Sequence, residues 1–290
     1  MTKPFLRKIE LHLRRKGHPT WMKIVADGTR ENLQITFSVQ KTLVGTPNES
    51  NITIYNLHPQ TRQALMQPEL QAELYVGWEN VRPTLLASGD VVQVVPTKEG
   101  TSNQTVLTLF DGYGGISDSG LNKTYRGGLF VQAVVYDLAS NLEGVSVDIS
   151  RIDVNGKLGK SGYTVSGGIA KELNKLANTY GFTWSVQNGV FQAITDGGAT
   201  KSKHVISANN LFSATAQLQD PSQLSAGQIQ VGMTIKAFIQ PQIMPGDIVV
   251  LKSQFVPMYN GDYTVHNISF SGDSHGPQYD MEIESKKFGA

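Results

Sequence analysis

Six histidines, twenty-four carboxylates, three tryptophans and no cysteine are what this 290-residue sequence offers for chemistry. Without cysteine there can be no thiolate zinc site, disulfide framework or cysteine nucleophile. His12, His18, His58, His204, His266 and His275 are scattered, and neither His-Glu-x-x-His nor Gly-x-Ser-x-Gly occurs. Gly156-Lys-Leu-Gly-Lys-Ser161 ends like a phosphate-binding loop, but that motif needs glycine where Val154 stands. No apolar strand leads straight into it, so it reads as a basic polar turn. Gly272-Asp273-Ser274-His275-Gly276 offers Asp and His to a metal or to acid–base work. With no second His at ligand spacing, a tight turn between strands is the preferred reading. Asp111-Gly-Tyr-Gly-Gly115 lacks the strand–GxGxxG–helix context and reads as the end of a strand. Carboxylate pairs suited to glycoside hydrolysis stay open, because such pairs are distant in sequence in most folds.

Trp21, Trp78 and Trp184 could stack on sugars or bases. Trp184 lies on an apolar strand face and is expected in a core. Trp78, in Val76-Gly-Trp-Glu-Asn80, is expected near a turn and exposed. Lys3, Arg7, Lys8, Arg14, Arg15 and Lys16 form the one concentration of charge. A solvated strand face is the preferred reading there, with contact to nucleic acid or an acidic partner as the alternative. Lys+Arg 25 against Asp+Glu 24 gives +1, which argues against a whole-domain electrostatic grip on nucleic acid or an anionic membrane.

The elements that must position these residues are mostly strands. The length suits two to three units of about 100–150 residues. Charged residues reach 17%, below the usual ~25%, so uncharged Ser, Thr, Asn and Gln must cover much of the surface. No window approaches 18 uninterrupted apolar residues, and the basic N-terminus has no apolar stretch of a secretory signal. A soluble chain made in a cytoplasm is expected. Phe5, Arg7, Ile9, Leu11 and Leu13 share one face of a first strand, and Leu33, Ile35, Phe37 and Val39 alternate in another. Strand signals recur about every ten residues to position 118, broken by one short helix at His58–Met66 with Pro59 in its first turn.

The centre changes period. Val131, Val134, Val135, Leu138 and Leu142 recur at helical spacing, ending near Gly144, as do Ile169, Leu173, Leu176, Ala177 and Tyr180. Ser166 is a candidate N-cap and Gly181 a candidate C′ residue of the second helix. Asn188-Gly189 then predicts a type I′ hairpin that sets Val186 opposite Phe191 and Trp184 opposite Ala193, with Phe182 on the same face. After His204 alternation returns, and Asn260-Gly261 predicts a second I′ turn with Met258 opposite Tyr263 and Val256 opposite Val265. The fold class is mainly β with an α+β insert: a β-barrel domain at 1–118, a central α+β domain at 119–203 and a second β-barrel domain at 204–290.

Ile52-Thr-Ile-Tyr55-Asn56-Leu57 followed by His58-Pro-Gln-Thr-Arg62 resembles the strand-to-helix passage in the first barrel of phage baseplate hub proteins. Pro245-Gly246-Asp247, Asn260-Gly261-Asp-Tyr-Thr-Val265, Gly272-Asp273-Ser-His-Gly276 and Met281-Glu-Ile-Glu284 resemble, in order, the turns and strands of the same family's C-terminal third. Relatives often carry Trp shortly before the last strand, where Tyr279 stands here. The resemblance implies a structural tail hub in the virion, a homotrimeric ring around the DNA channel, made in the host cytoplasm. Its implied partners are the tail tube protein or a tube adaptor, the spike protein and other baseplate proteins, with DNA passing transiently and no membrane insertion. It implies no enzymatic activity, cofactor, metal or catalytic residue. It gives structural roles to Tyr55, Asn56, Leu57, Pro245, Gly246, Asp247, Asn260, Gly261, Gly272 and Asp273. Arg14, Arg15 and Lys16 are candidate contacts with channel or tube. A tail-associated glycoside hydrolase and a carbohydrate-binding module using Trp78 are the alternative functions.

Overall fold

Alternation of apolar and polar residues becomes strand along both ends of the chain. The computed structural model describes residues 6–27, 29, 32–79, 81–218 and 231–289. Lys3 of the basic run, Phe5 of the expected first strand and Asn80 after Trp78 lie outside the described residues. Strand β1 (Arg7–Arg15) buries Ile9, Leu11 and Leu13 and is followed by β2 (Met22–Ala26), β3 (Ile35–Thr42) and β4 (Glu49–Tyr55). Helix α1 (Pro59–Leu65) starts at proline, whose missing N–H costs nothing in the first turn, and the His58 ring accepts from the Gln60 N–H. Strands β5 (Leu70–Trp78), β6 (Thr84–Glu99) and β7 (Ser102–Phe110) and the short helix α2 (Tyr113–Asp118) complete this part.

The centre comprises β8 (Gly120–Tyr125), α3 (Val131–Ala139), β9 (Ser146–Asp153), β10 (Tyr163–Gly168), α4 (Ile169–Tyr180), β11 (Phe182–Gln187) and β12 (Val190–Thr195). Leu142 lies beyond the end of α3 yet remains buried. The register of β11 on β12 pairs Trp184 with Ala193 and Val186 with Phe191, and Asn188 and Gly189 both have positive φ (52° and 74°), as a I′ turn requires. Gly181 ends α4 in the left-handed conformation (φ 66°). Ser166 does not cap α4. It is committed to the β8–β10 ladder opposite Asn122, and Gly168 occupies the cap position.

The last part holds β13 (Lys203–Ser207), β14 (Leu211–Leu218), β15 (Val231–Phe238), β16 (Ile248–Lys252), β17 (Gly261–Asp273) and β18 (Tyr279–Lys287). The expected I′ turn at Asn260-Gly261 does not form. Asn260 has φ −62°, a 3-10 turn at Pro257–Tyr259 precedes it, and β17 pairs with β16, Tyr263 lying opposite Val249 and not Met258. The cause is local: the Asn260 side chain accepts from the Ser253 N–H (2.6 Å) and donates to the Ser253 carbonyl (3.1 Å), closing a longer loop instead of a two-residue turn.

What alternation alone does not disclose is that the two ends share a sheet. The strand order runs β14-β15-β18-β17-β3-β4-β7-β6-β5-β1-β2, with β16 and β13 joined to β17. Strand β17 serves two neighbours along one edge. Residues up to Thr264 pair with β16 and those from Asn267 pair with β3, the change falling beside a bulge against β18 between Val265 and Asn267. Strand β6 likewise passes from β5 to β7 through bulges. One apolar cluster therefore includes Leu11, Phe37, Ile54, Leu74 and Leu107 from the first part and Val249, Phe270, Met281 and Ile283 from the last. The centre has its own cluster, around Val135, Leu138, Ile169, Leu173, Trp184 and Phe191.

Candidate functional site

The residues singled out by motif lie at turns and joints. Tyr55 ends β4, and its N–H bonds to the Gln34 carbonyl. Asn56 takes a left-handed conformation (φ 54°), accepts from the Asn103 N–H through its side chain and donates its own N–H to the Asn103 carbonyl (2.7 Å). Leu57 is buried in the shared core.

Pro245-Gly246-Asp247 joins the centre to the last part. The Pro245 carbonyl accepts from Gln192 of β12 (2.9 Å). Gly246, with φ 92°, sits so close to the centre that a Cβ would stand 2.3 Å from the Ile194 Cδ1. The buried Asp247 carboxylate accepts from the Met244 N–H (3.0 Å) and the Thr200 hydroxyl, and its Oδ2 lies 3.0 Å from the His204 Nε2. Asp stands in the middle of this constellation and the hydroxyl points at the carboxylate, the reverse of a nucleophile activated by a base. Its effect is to hold the turn.

Gly272 and Asp273 open the β17–β18 connection. Asp273 accepts from Gln34 and from the His275 N–H (2.8 Å). Burial opposes its ionisation, but the His275 and Gly276 N–H groups and Gln34 outweigh that and hold the carboxyl below its usual range. Arg7 from β1 completes the turn. Its guanidinium donates to the carbonyls of Asp273 (2.8 Å), Gly276, Pro277 (2.9 Å) and Gln278 (3.1 Å), and stands 5.1 Å from the Tyr279 ring centroid. The Tyr279 hydroxyl accepts from the Gly77 N–H and donates to its carbonyl, tying β18 to β5. Asn260 and Gly261 meet none of these residues. They belong to the loop from Ser253, whose tip carries Phe255, 89% exposed, and Met258, 81% exposed.

Arg14, Arg15 and Lys16 end β1 together, but their charges are used differently. Arg14 donates to Gln71 (3.1 Å) and lies 4.4 Å from the centroid of the Trp21 ring, Lys16 pairs with Glu143 of the centre (3.2 Å), and Arg15 is exposed. Earlier on the same strand, Glu10 is buried against Lys8 (3.1 Å), Lys23 (2.7 Å) and His12 (3.2 Å). Burial disfavours its charge, yet these partners prevail and hold it down at about 2. With Tyr75, Glu79, Val81, Arg82 and Pro83 the cluster lines an open cleft of about 590 Å³.

Trp78 is not the exposed platform that its turn suggested. It is half-buried between Phe238 (6.4 Å) and Tyr279 (5.0 Å) in edge-on contact. Gly156–Ser161 leads into β10 and not into a helix, so no helix N-terminus faces it. Asp111-Gly112 does pass from β7 into α2, but the Asp111 carboxylate is taken by the Asn188 and Gly189 N–H groups of the central hairpin.

Sequence reasoning found that hairpin tip but missed the joint it makes with the sheet. Asn48 donates to the Val186 carbonyl (2.9 Å), and Gln187 donates to the Thr42 carbonyl (2.7 Å). Gly45 lies flat on Trp184, where a Cβ would come within 2.4 Å of the indole. Lys41 is 2% exposed and donates to the Asn188 Oδ1 (3.0 Å). The one available signal is phase, since Lys41 continues the inward positions Ile35, Phe37 and Val39 of β3. Among the described residues no cluster of three or more His, Asp or Glu side chains could hold a metal ion, and no helix is long and apolar enough to cross a membrane.

No family model matches the sequence, and no curated protein matches it. Solved structures do match the fold. A tail protein from Neisseria meningitidis MC58 aligns over 97% of this chain and 97% of its own, with TM-score 0.64 and 13% identity. The 43 kDa tail protein of prophage MuSo2 from Shewanella oneidensis aligns over 95% and 96%, with TM-score 0.64 and 10% identity. An Escherichia coli component of the type VI secretion system, described as similar to the T4 bacteriophage tail proteins gp27 and gp5, aligns over 95% of this chain and 76% of its own, with TM-score 0.61 and 9% identity. The chain thus has the mainly β fold of phage tail and hub-like proteins, which agrees with the resemblance carried by its short motifs.

Proposed function

We propose that this chain is a structural hub of a phage tail baseplate or a related injection machine, joining the tube to the central spike as a ring around the DNA channel. The observation that carries the reading is the alignment of nearly all of this chain with nearly all of a tail protein, since a shared module would match only in part. The polar geometry supports a scaffold. Asp247, Asp273, Arg7 and Tyr279 each saturate backbone groups of a turn or a neighbouring strand and present no reactive atom.

A homotrimer is the proposed assembly. Among the described residues β2 and β14 are each paired on one side, and β14 carries no charge and no proline from Leu211 to Leu218, the features that usually blunt an edge. A closed ring satisfies such edges without filaments. The proposed partners are the tube protein or a tube adaptor, the spike and other baseplate proteins. Arg15, whose charge is exposed, is the strongest candidate in its run for contact with channel or tube.

Light scattering on the purified chain, alone and with its tail partners, tests this directly. Three copies per ring are expected, and a monomer or an even-numbered ring in the assembled particle overturns the trimer. Neutralising Arg14, Arg15 and Lys16 together is expected to impair assembly or DNA delivery with little change in melting temperature. Unaltered infectivity returns the run to a solvated strand end. Hydrolysis of cell-wall substrate by pure protein, abolished by one carboxylate substitution, would replace the scaffold reading with an enzymatic one.

A further inference from the structure

The joint between the centre and the sheet is built in a way that does not favour permanent closure. Lys41 from β3 and Asp111 from the end of β7 are both buried beneath the Asn188-Gly189 tip, yet they are not in direct contact as an ion pair. They meet through Asn188, whose side-chain oxygen accepts from the ammonium and whose N–H goes to the carboxylate. An ammonium has three donors, and among the described residues the acceptors of this one are the Asn188 Oδ1 and the Met244 thioether at 3.3 Å, a weak acceptor. Two charges are thus taken from water without touching each other, the carboxylate resting on the Asn188 and Gly189 N–H groups of the tip. The polar contacts that undocking must break around them include single bonds from Asn48 to the Val186 carbonyl, Gln187 to the Thr42 carbonyl and Gln192 to the Pro245 carbonyl. Gly45 and Gly112 give flat approaches to Trp184 and Val186, and a polar cleft lined by Gly89, Gly112, Gly114, Gly144 and Gly189 already runs along the joint. An exposed ion pair, Lys16–Glu143, spans that cleft.

We propose that the Asn188-Gly189 tip and the buried Lys41 and Asp111 form a release latch, by which the central unit docks on the sheet and undocks from it without either part unfolding. Burial pushes Lys41 down to about 8 and Asp111 up to about 6, with each charge favouring the other. Asp90 on β6 adds repulsion at Asp111, Glu143 and the cations Arg14 and Lys16 line the cleft, and the hairpin tip itself is neutral. By linkage the folded joint favours the neutral acid below about 6 and the neutral amine above about 8, so the docked state is least stable between those values. The latch is loosest near neutral pH.

Hydrogen exchange of the full chain, corrected for intrinsic rates, reads this at residues 186–191 against the sheet core at 268–272. Exchange at the tip is expected at least ten times faster than in the core at pH 7, with the difference narrowing at pH 5 and pH 9. Lys41→Met with Asp111→Asn removes both buried charges and keeps an acceptor for the tip, so tip exchange should slow at least tenfold and lose its pH dependence. Exchange in that double variant as fast as in the parent overturns the latch. If the double variant does not fold, cysteines at the exposed positions 16 and 143 decide, since the chain has no other thiol. Bridging them with a short bismaleimide should slow tip exchange at least tenfold, whereas tip exchange unchanged by the bridge overturns the proposal.

Discussion

Of the three Asn-Gly dipeptides, those at 188–189 and 260–261 are flanked by apolar residues in alternation, and they produce two different structures. At the first, both residues have positive φ and the strands pair across the turn. At the second, Pro257 lies three residues upstream, its neighbours form a 3-10 turn, and Asn260 spends its amide on Ser253. The first hairpin has no competitor, because β11 and β12 are adjacent and bury the same face against α4. At the second, β16 offers a better partner to β17 than the residues before the turn do. A turn signal states where a chain can reverse; the choice of strands is decided by burial on both sides.

The largest test of this contrast is Trp184→Ala. Trp184 is 2% exposed, stacks on Phe191 at 5.7 Å and donates to Asn174 at 2.8 Å, so the change should cost about 3–5 kcal/mol in guanidinium melts. A loss under about 1 kcal/mol would mean that the hairpin does not anchor the centre.

The asparagines themselves come next. Asn188→Ala leaves the buried Lys41 without its oxygen acceptor and should cost about 1–3 kcal/mol, while Asn260→Ala loses ordinary loop bonds and should cost about 1 kcal/mol. A reversed ranking in urea titrations would remove the distinction between a joint and a loop.

Acid titration separates the joint from the open face of β1. Asp111 is raised, so its contribution is present below about 4 and is lost as pH rises through about 6; Glu10 is lowered, so its contribution is present above about 4.5 and is lost as pH falls towards about 2. Melting temperatures from pH 7 to pH 2 should therefore lose the gain on mild acidification in Asp111→Asn, and lose part of the fall at the acid end in Glu10→Gln. A parallel shift in both variants would show that neither group carries its slope.

The smallest effect is expected at the second turn. Phe255→Ser and Met258→Ser remove side chains that stand in solvent and should change stability by less than about 0.5 kcal/mol. A larger loss in thermal melts would show that these side chains pack against the chain.

Legibility followed the range of the interactions. Helix α4, its glycine stop and the register of β11 on β12 depend on neighbours within fifteen residues, and periodicity is enough to find them. The joint depends on Lys41, Asn48 and Asp111, separated from Asn188 by 147, 140 and 77 positions, and nothing local marks them as partners. Phase was the exception. Arg7 shares the inward face of β1 with Ile9, Leu11 and Leu13, which alternation marks although the basic run reads as a solvated face; Tyr279 lies inward on β18 with Met281 and Ile283, and the structure alone discloses its partners.

By itself the sequence determined which segments extend, which coil and which side chains turn inward, because pleat and helical pitch are properties of a few consecutive residues. It also carried the short turn motifs on which the resemblance to the hub family rests. The pairing of β3 with β17, which joins the two ends of the chain in one sheet, was decided by tertiary structure alone. So were the burial of Lys41 and Asp111 under the central hairpin and the enclosure of Trp78 between Phe238 and Tyr279. An edge strand exposes the same N–H and C=O groups to every candidate neighbour. Which neighbour it takes depends on the shape and burial of the whole assembled core.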